Sequence, residues 1–180
     1  LNDGRAALLL GKVDQARGEL TNAYGLYQEV IVSHAGTTLL PAARLGRAEV
    51  LALQGTPNDQ MTADYEHLAK ILTQPAAGAP APKMISLKAV SDSLANNYSQ
   101  YYAQGRYRSA LEFLRLAKLL GQPETAVTAF RWAQAHEALA NELRKQAQGG
   151  GSGADQKLEE ANQEDAAAED AEVRQARLAT

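Results

Sequence analysis

Between residues 94 and 117 apolar side chains recur at helical spacing through Leu94, Tyr98, Tyr101 and Tyr102. They pause at Gly105 and resume through Tyr107, Ala110, Leu111, Leu114 and Ala117. Two helices meeting at a glycine are predicted. The same pattern opens the chain: residues 4–16 are apolar on one side, Gly18 interrupts, and residues 19–33 continue with Leu20, Ala23, Tyr27, Val30 and Ile31 on a shared face. The two stretches align without gaps. Gly18 stands five before Ala23 as Gly105 stands five before Ala110, Leu20 answers Tyr107, Tyr27 answers Leu114 and Val30 answers Ala117. One unit is present twice.

Residues 39–54 supply a further first helix, with Leu45-Gly46 lying 35 positions after Leu10-Gly11. A turn over Gly55 to Asp59 leads into a second helix striped by Met61, Tyr65, Leu68 and Leu72, with Ala63 near the place of a small residue. Residues 74–83 hold three prolines and no periodicity, so they read as an extended connector, with helix resuming from Lys83. After Pro123, residues 124–147 form one long helix carrying Val127, Phe130, Ala133, Leu139 and Leu143. An array of repeats exposes its last apolar face unless something covers it, and this helix is the natural cap. Gly149 to Gly153 is a flexible linker by composition. Residues 154–180, with Leu158, Val173 and Leu178 as their large apolar side chains, read as a polar, partly helical tail that frays or docks on a partner.

The helix pairs resemble the tetratricopeptide repeat, a 34-residue helix-turn-helix unit. That family places a leucine-glycine step in the first helix, a glycine at the turn, and small, large and small residues along the second helix. Leu10-Gly11, Gly18, Ala23, Tyr27 and Val30 follow the pattern; Asn97-Tyr98, Gly105, Ala110, Leu114 and Ala117 follow its second half better than its first. Val30 and Tyr98 are larger than the pattern expects. The resemblance implies an all-α, right-handed superhelix of about three repeats, near 4–37, 39–73 and 91–123, within a domain of residues 1–148. The cap and the acidic tail follow. Tyr24, Tyr27 and Ala42-Ala43-Arg44-Leu45 also resemble bacterial envelope members of the superfamily that take part in outer-membrane assembly and division.

Such arrays bind peptides on the groove lined by their first helices. Carried onto this chain, that face presents Arg5, Leu8 and Lys12, then Ala43, Arg44 and Arg47, then Asn96, Ser99 and Tyr102. Guanidinium forks grip carboxylates and an asparagine clamps a peptide backbone, so an acidic peptide is the implied guest. The plain alternative is that these cations solvate an exposed helix face. Among the tyrosines, Tyr98 and Tyr101 are expected in the core, with Tyr102 and Tyr107 available for contact. The expected function is a non-catalytic scaffold; the alternatives are a self-assembling module, giving a homo-oligomer, and the docking arm of a larger enzyme.

Charge narrows the partners. The net charge is −3, with eight acids and three bases in residues 154–180 and 13 acids against 15 bases elsewhere. Neither part supplies the concentrated basic stripe that nucleic acid requires. No apolar run approaches the roughly 18 residues of a membrane span. The chain opens on Leu1, which predicts a longer parent. Cysteine is absent, removing disulfides and thiolate sites while fitting a reducing cytosol and a bacterial envelope equally.

Catalytic and cofactor motifs are incomplete. His34, His67 and His136 are scattered, and His136-Glu137 is followed by Ala140 where a zinc-binding helix needs its second histidine. His136 lies four after Trp132, predicting a packed aromatic pair. The glycines at 149–151 lack the preceding strand and following lysine of a phosphate loop, and Ser33 has no glycine elbow. Asp64 and Glu66 point different ways on their helix with no sign of burial. No catalytic residue, metal or cofactor is expected.

Overall fold

The computed structural model describes residues 2–55, 58–75, 84–149 and 153–179, with side chains from Ala6 onward. Among these, the chain is all helical: α1 (Asn2–Arg17), α2 (Leu20–Ser33), α3 (Leu40–Gln54), α4 (Asp59–Thr73), α5 (Leu87–Ala103), α6 (Tyr107–Lys118), α7 (Ala126–Gln148) and α8 (Ala154–Leu178). Two compact units result, one of Leu1–Ala95 with Leu119–Gly121, the other of Asn96–Lys118 with Gln122–Thr180.

The glycines that punctuate the pattern act alike. Gly18 adopts φ +78°, a left-handed conformation that side chains resist, and the α1 terminus closes by Gly18 N–H to Gln15 O at 3.1 Å and Glu19 N–H to Asp14 O at 2.8 Å. Gly105, at φ +73°, ends α5 the same way, with Gly105 N–H to Tyr102 O and Arg106 N–H to Tyr101 O, both 2.9 Å. Both glycines thus end a first helix with the same pair of backbone bonds. The residues five further on, Ala23 and Ala110, are both fully buried.

In the first unit α2 packs on α1, α3 packs on α2 and also on α1, and α4 packs on α3. Their shared core holds Ala7, Leu8, Ala23, Tyr27, Val30, Ala42, Ala43 and Val50. Pro41 sits in the first turn of α3, where its missing N–H costs nothing. The Asn58 side chain caps α4 by accepting from Met61 N–H at 2.8 Å. Met61, Tyr65 and Leu68 turn inward as the stripe predicts. Ala63 does not; it is exposed, and its neighbour Asp64 takes the buried position. Thr56, Pro57 and most of the proline-rich connector, residues 76–83, lie outside the described residues.

The second unit departs from the expected layout at its end. Residues 154–178 form one continuous helix, and α8 packs along α7 where a loosely attached tail was expected. The contact surface is alanine: Ala161, Ala168 and Ala171 are buried, with Leu139, Ala140 and Leu143 of α7 and, from α6, Tyr107 and Leu111 around Ala161. Small side chains let two helix backbones approach closely, which removes the need for large apolar residues. Ion pairs edge the seam, Arg108 to Glu160, Arg144 to Asp165 and Glu124 to Arg174 at 3.3 Å, and a hydrogen bond joins His136 to Glu164. The expected cap therefore carries a second helix of its own. Residues 150–152 of the linker lie outside the described residues.

Tyr98 and Tyr101 are buried as expected. Tyr101 packs on Phe113 at 5.1 Å between ring centres, and the Tyr98 hydroxyl donates to Arg131 O at 3.1 Å.

Candidate functional site

Tyr27 organises the first unit. It projects from α2 between α1 and α3, and it is fully buried because both neighbours place a glycine against its ring. A Cβ on Gly11 would lie 2.8 Å from Tyr27 Cε1, and one on Gly46 only 2.3 Å from Cζ. The two leucine-glycine steps, 35 residues apart, thus flank one aromatic ring. The hydroxyl is satisfied: it donates to Gln15 Oε1 at 2.7 Å, and Gln15 Nε2 donates to Glu49 Oε2 at 2.9 Å. Burial, and then the Glu49 carboxylate, push the phenol far above its ordinary pKa, so it is a fixed donor.

Above this ring α1 and α3 border a groove of about 490 Å³. Its floor is Ala16, Ala42, Leu45 and Gly46; its polar rim is Lys12, Gln15 and Glu49; and Leu53 with Met84, both over 40% exposed, stand at its edge. Lys12 is exposed and has no ion-pair partner among the described residues. Met84 has φ +65°, an uncommon conformation for a side-chain-bearing residue.

The predicted groove cations Arg44 and Arg47 are engaged elsewhere. Asp64 of α4, wholly buried, receives Arg47 Nε at 2.8 Å and Nη2 at 2.8 Å, and Arg44 Nη1 at 2.6 Å. Arg47 is 5% exposed and its remaining Nη1 donates to Gln28 of α2. A fork on one carboxylate and a third helix tied in by an amide is a built-in staple between α2, α3 and α4. Asp64, read from the sequence as unburied, is its centre. The available signal was its place in the α4 stripe, one residue before Tyr65, with two arginines on the preceding helix. His67, one turn on, is held below its ordinary pKa by burial and by the charge of Arg44, and its Nε2 has no hydrogen-bond partner.

Of the remaining predicted contacts, Arg5 has its side chain outside the described residues. Asn96, Ser99 and Tyr102 belong to the second unit. Asn96 and Ser99 are exposed on α5. Tyr102 is half-buried, stacked on Tyr98 at 5.8 Å and edge-on to Tyr107 at 5.3 Å. No cluster of metal-binding side chains occurs among the described residues, and no helix there is long and apolar enough to cross a membrane.

No protein-family model, curated protein or solved structure matches the chain.

Proposed function

We propose that the chain is a non-catalytic protein-binding module built from tetratricopeptide-like helix pairs, and that the α1–α3 groove receives a peptide. The observation that carries this reading is the Tyr27 wedge: two leucine-glycine steps 35 residues apart, on two different helices, both meet the same ring. That is how successive repeats would share a second helix, and it leaves the first helices side by side with a groove between them. A wall of Leu53 and Met84 beside Lys12, Gln15 and Glu49 suits a segment carrying one apolar side chain flanked by backbone or polar groups. With Arg44 and Arg47 committed to Asp64, the guest meets one cation and one carboxylate among the described lining residues of this groove and need not be acidic.

Selection of a displayed random-peptide library on the immobilised full chain tests the proposal. Enriched peptides should share an apolar anchor and bind at least about tenfold more weakly to Leu53→Asp and Ala16→Glu, a loss of roughly 1.4 kcal/mol or more. Failure to enrich any peptide with that dependence, in variants of unchanged helix content, overturns it.

A further inference from the structure

The α1 helix is apolar on two sides. Ala7, Leu8 and Gly11 turn inward, while Ala6, Leu9, Leu10 and Val13, at the i, i+3, i+4, i+7 spacing of a packing face, turn out. Leu9 is 46% exposed, Leu10 54% and Val13 44%. Scattered exposed large apolar side chains are ordinary; three on one helical stripe are not. Lys12 flanks it and Arg17 closes it, both exposed and neither in an ion pair among the described residues.

A surface of opposite character lies in the second unit. There α7 and α8 border a groove of about 390 Å³, to which α7 gives Phe130, Ala133, Gln134 and Glu137, and α8 with its C-cap residue gives Glu172, Gln175, Ala176 and Ala179. Each helix offers an i, i+3, i+4, i+7 face. Phe130 is 43% exposed, and Val127, one turn earlier, is 61% exposed. The two helices run antiparallel, as the ion pairs Arg144 to Asp165 and Glu124 to Arg174 show. Glu137 and Glu172 therefore stand together at one end of the groove and Phe130 with Ala179 at the other. Neither carboxylate has an ion-pair partner among the described residues.

We propose that the outward stripe of α1 in one copy seats in the α7–α8 groove of a second copy. Both surfaces are helical in period, and the exposed cations Lys12 and Arg17 beside one are opposite in sign to the carboxylates Glu137 and Glu172 of the other. The residues from Leu9 to Arg17 rise about 12 Å at 1.5 Å per residue, and those from Phe130 to Glu137 about 10 Å, so the two surfaces match in length. A helix lying in the groove of a helix pair places Leu9, Leu10 and Val13 on Phe130 and the alanines while Lys12 and Arg17 reach the two glutamates. The contact joins two different faces, so it is not self-complementary, and each copy in a pair keeps one unused face. This inference shares Lys12 with the peptide groove of the first unit, and its Glu137 and Glu172 arm tests it apart from that groove.

Sedimentation velocity of the full chain over a wide concentration range is the test. The expected result is a mass that rises with concentration, with association weakened at least about tenfold in Lys12→Glu/Arg17→Glu and again in Glu137→Lys/Glu172→Lys, because like charges then face each other. These residues are exposed or at a groove rim, and circular dichroism should show both variants as helical as the parent. Mixing the two variants restores association, since the acidic stripe of one meets the lysine groove of the other. A parent chain that stays monomeric throughout, or association equal in parent and variants, or a mixture that behaves as the sum of its parts, overturns the proposal.

Discussion

Tyr27 and Gly46 are so closely fitted that neither can change alone. A Cβ on Gly46 has no space, because the ring atom it would strike is 2.3 Å away and the ring itself is fully buried. Gly46→Ala should cost about 3 kcal/mol, the upper end for an overpacked core, and much less in a Tyr27→Leu background; urea unfolding of the four proteins measures the coupling. Asp64→Ala strands the buried Arg47 guanidinium without its carboxylate and should cost roughly 3–5 kcal/mol. His67 gives the residue scale its pH dependence. Its folded pKa is lowered from 6.5, first by burial and then by Arg44, so the unfolded chain binds the proton more readily. Stability is complete above about 6.5 and falls as pH drops from there toward the folded value. The urea midpoint of His67→Gln should be flatter between pH 7 and 5 than that of the parent; parallel curves would show that His67 contributes nothing to the slope.

At the scale of helices, periodicity read from Leu, Val and Tyr located α1 to α7, because those side chains fill the space between helices of ordinary spacing. The same reasoning left residues 154–180 unpacked, and α8 shows why. Its seam with α7 is made by Ala161, Ala168 and Ala171, seven and three residues apart, and alanine on a helix is as common from propensity as from packing. Asp64 was missed for a related reason: a charge in an apolar stripe looks misplaced until its two arginines are brought across from α3. The alanine seam, more than its ion pairs, should hold α8, since exposed pairs contribute only about 0–1 kcal/mol each. Amide exchange should therefore find α8 still protected in 1 M salt but opened by Ala161→Arg, which puts a long charged side chain where no space exists. Loss of protection in salt alone would assign the docking to the charges instead.

Across the whole molecule, both units share an alkaline limit. Tyr27 in the first unit and Tyr98, Tyr101 and Tyr102 in the second have phenols raised by burial, Tyr98 to about 12. Each stays protonated in the folded chain where the unfolded chain has begun to ionise. Their contribution is full below about pH 10 and is lost as pH climbs through the folded values. Absorbance titration of tyrosinate should show a late fraction that disappears in urea, and a titration complete near pH 10 in the native protein would contradict the burial. The all-helical class and the glycine turns were legible at this scale, since a repeated punctuation needs no knowledge of what lies across the core. The use made of each charge was not, because charges are assigned by neighbours far away in sequence.

The chain carries a single tryptophan, Trp132, and its indole lies flat against His136 at 5.5 Å between ring centres, while that imidazole bonds Glu164 of α8. The emission of an indole depends on what touches its ring and on how much water reaches it. The emission of this one fluorophore should therefore change when α8 is pulled away from it, a native optical gauge of the last helix that requires no dye.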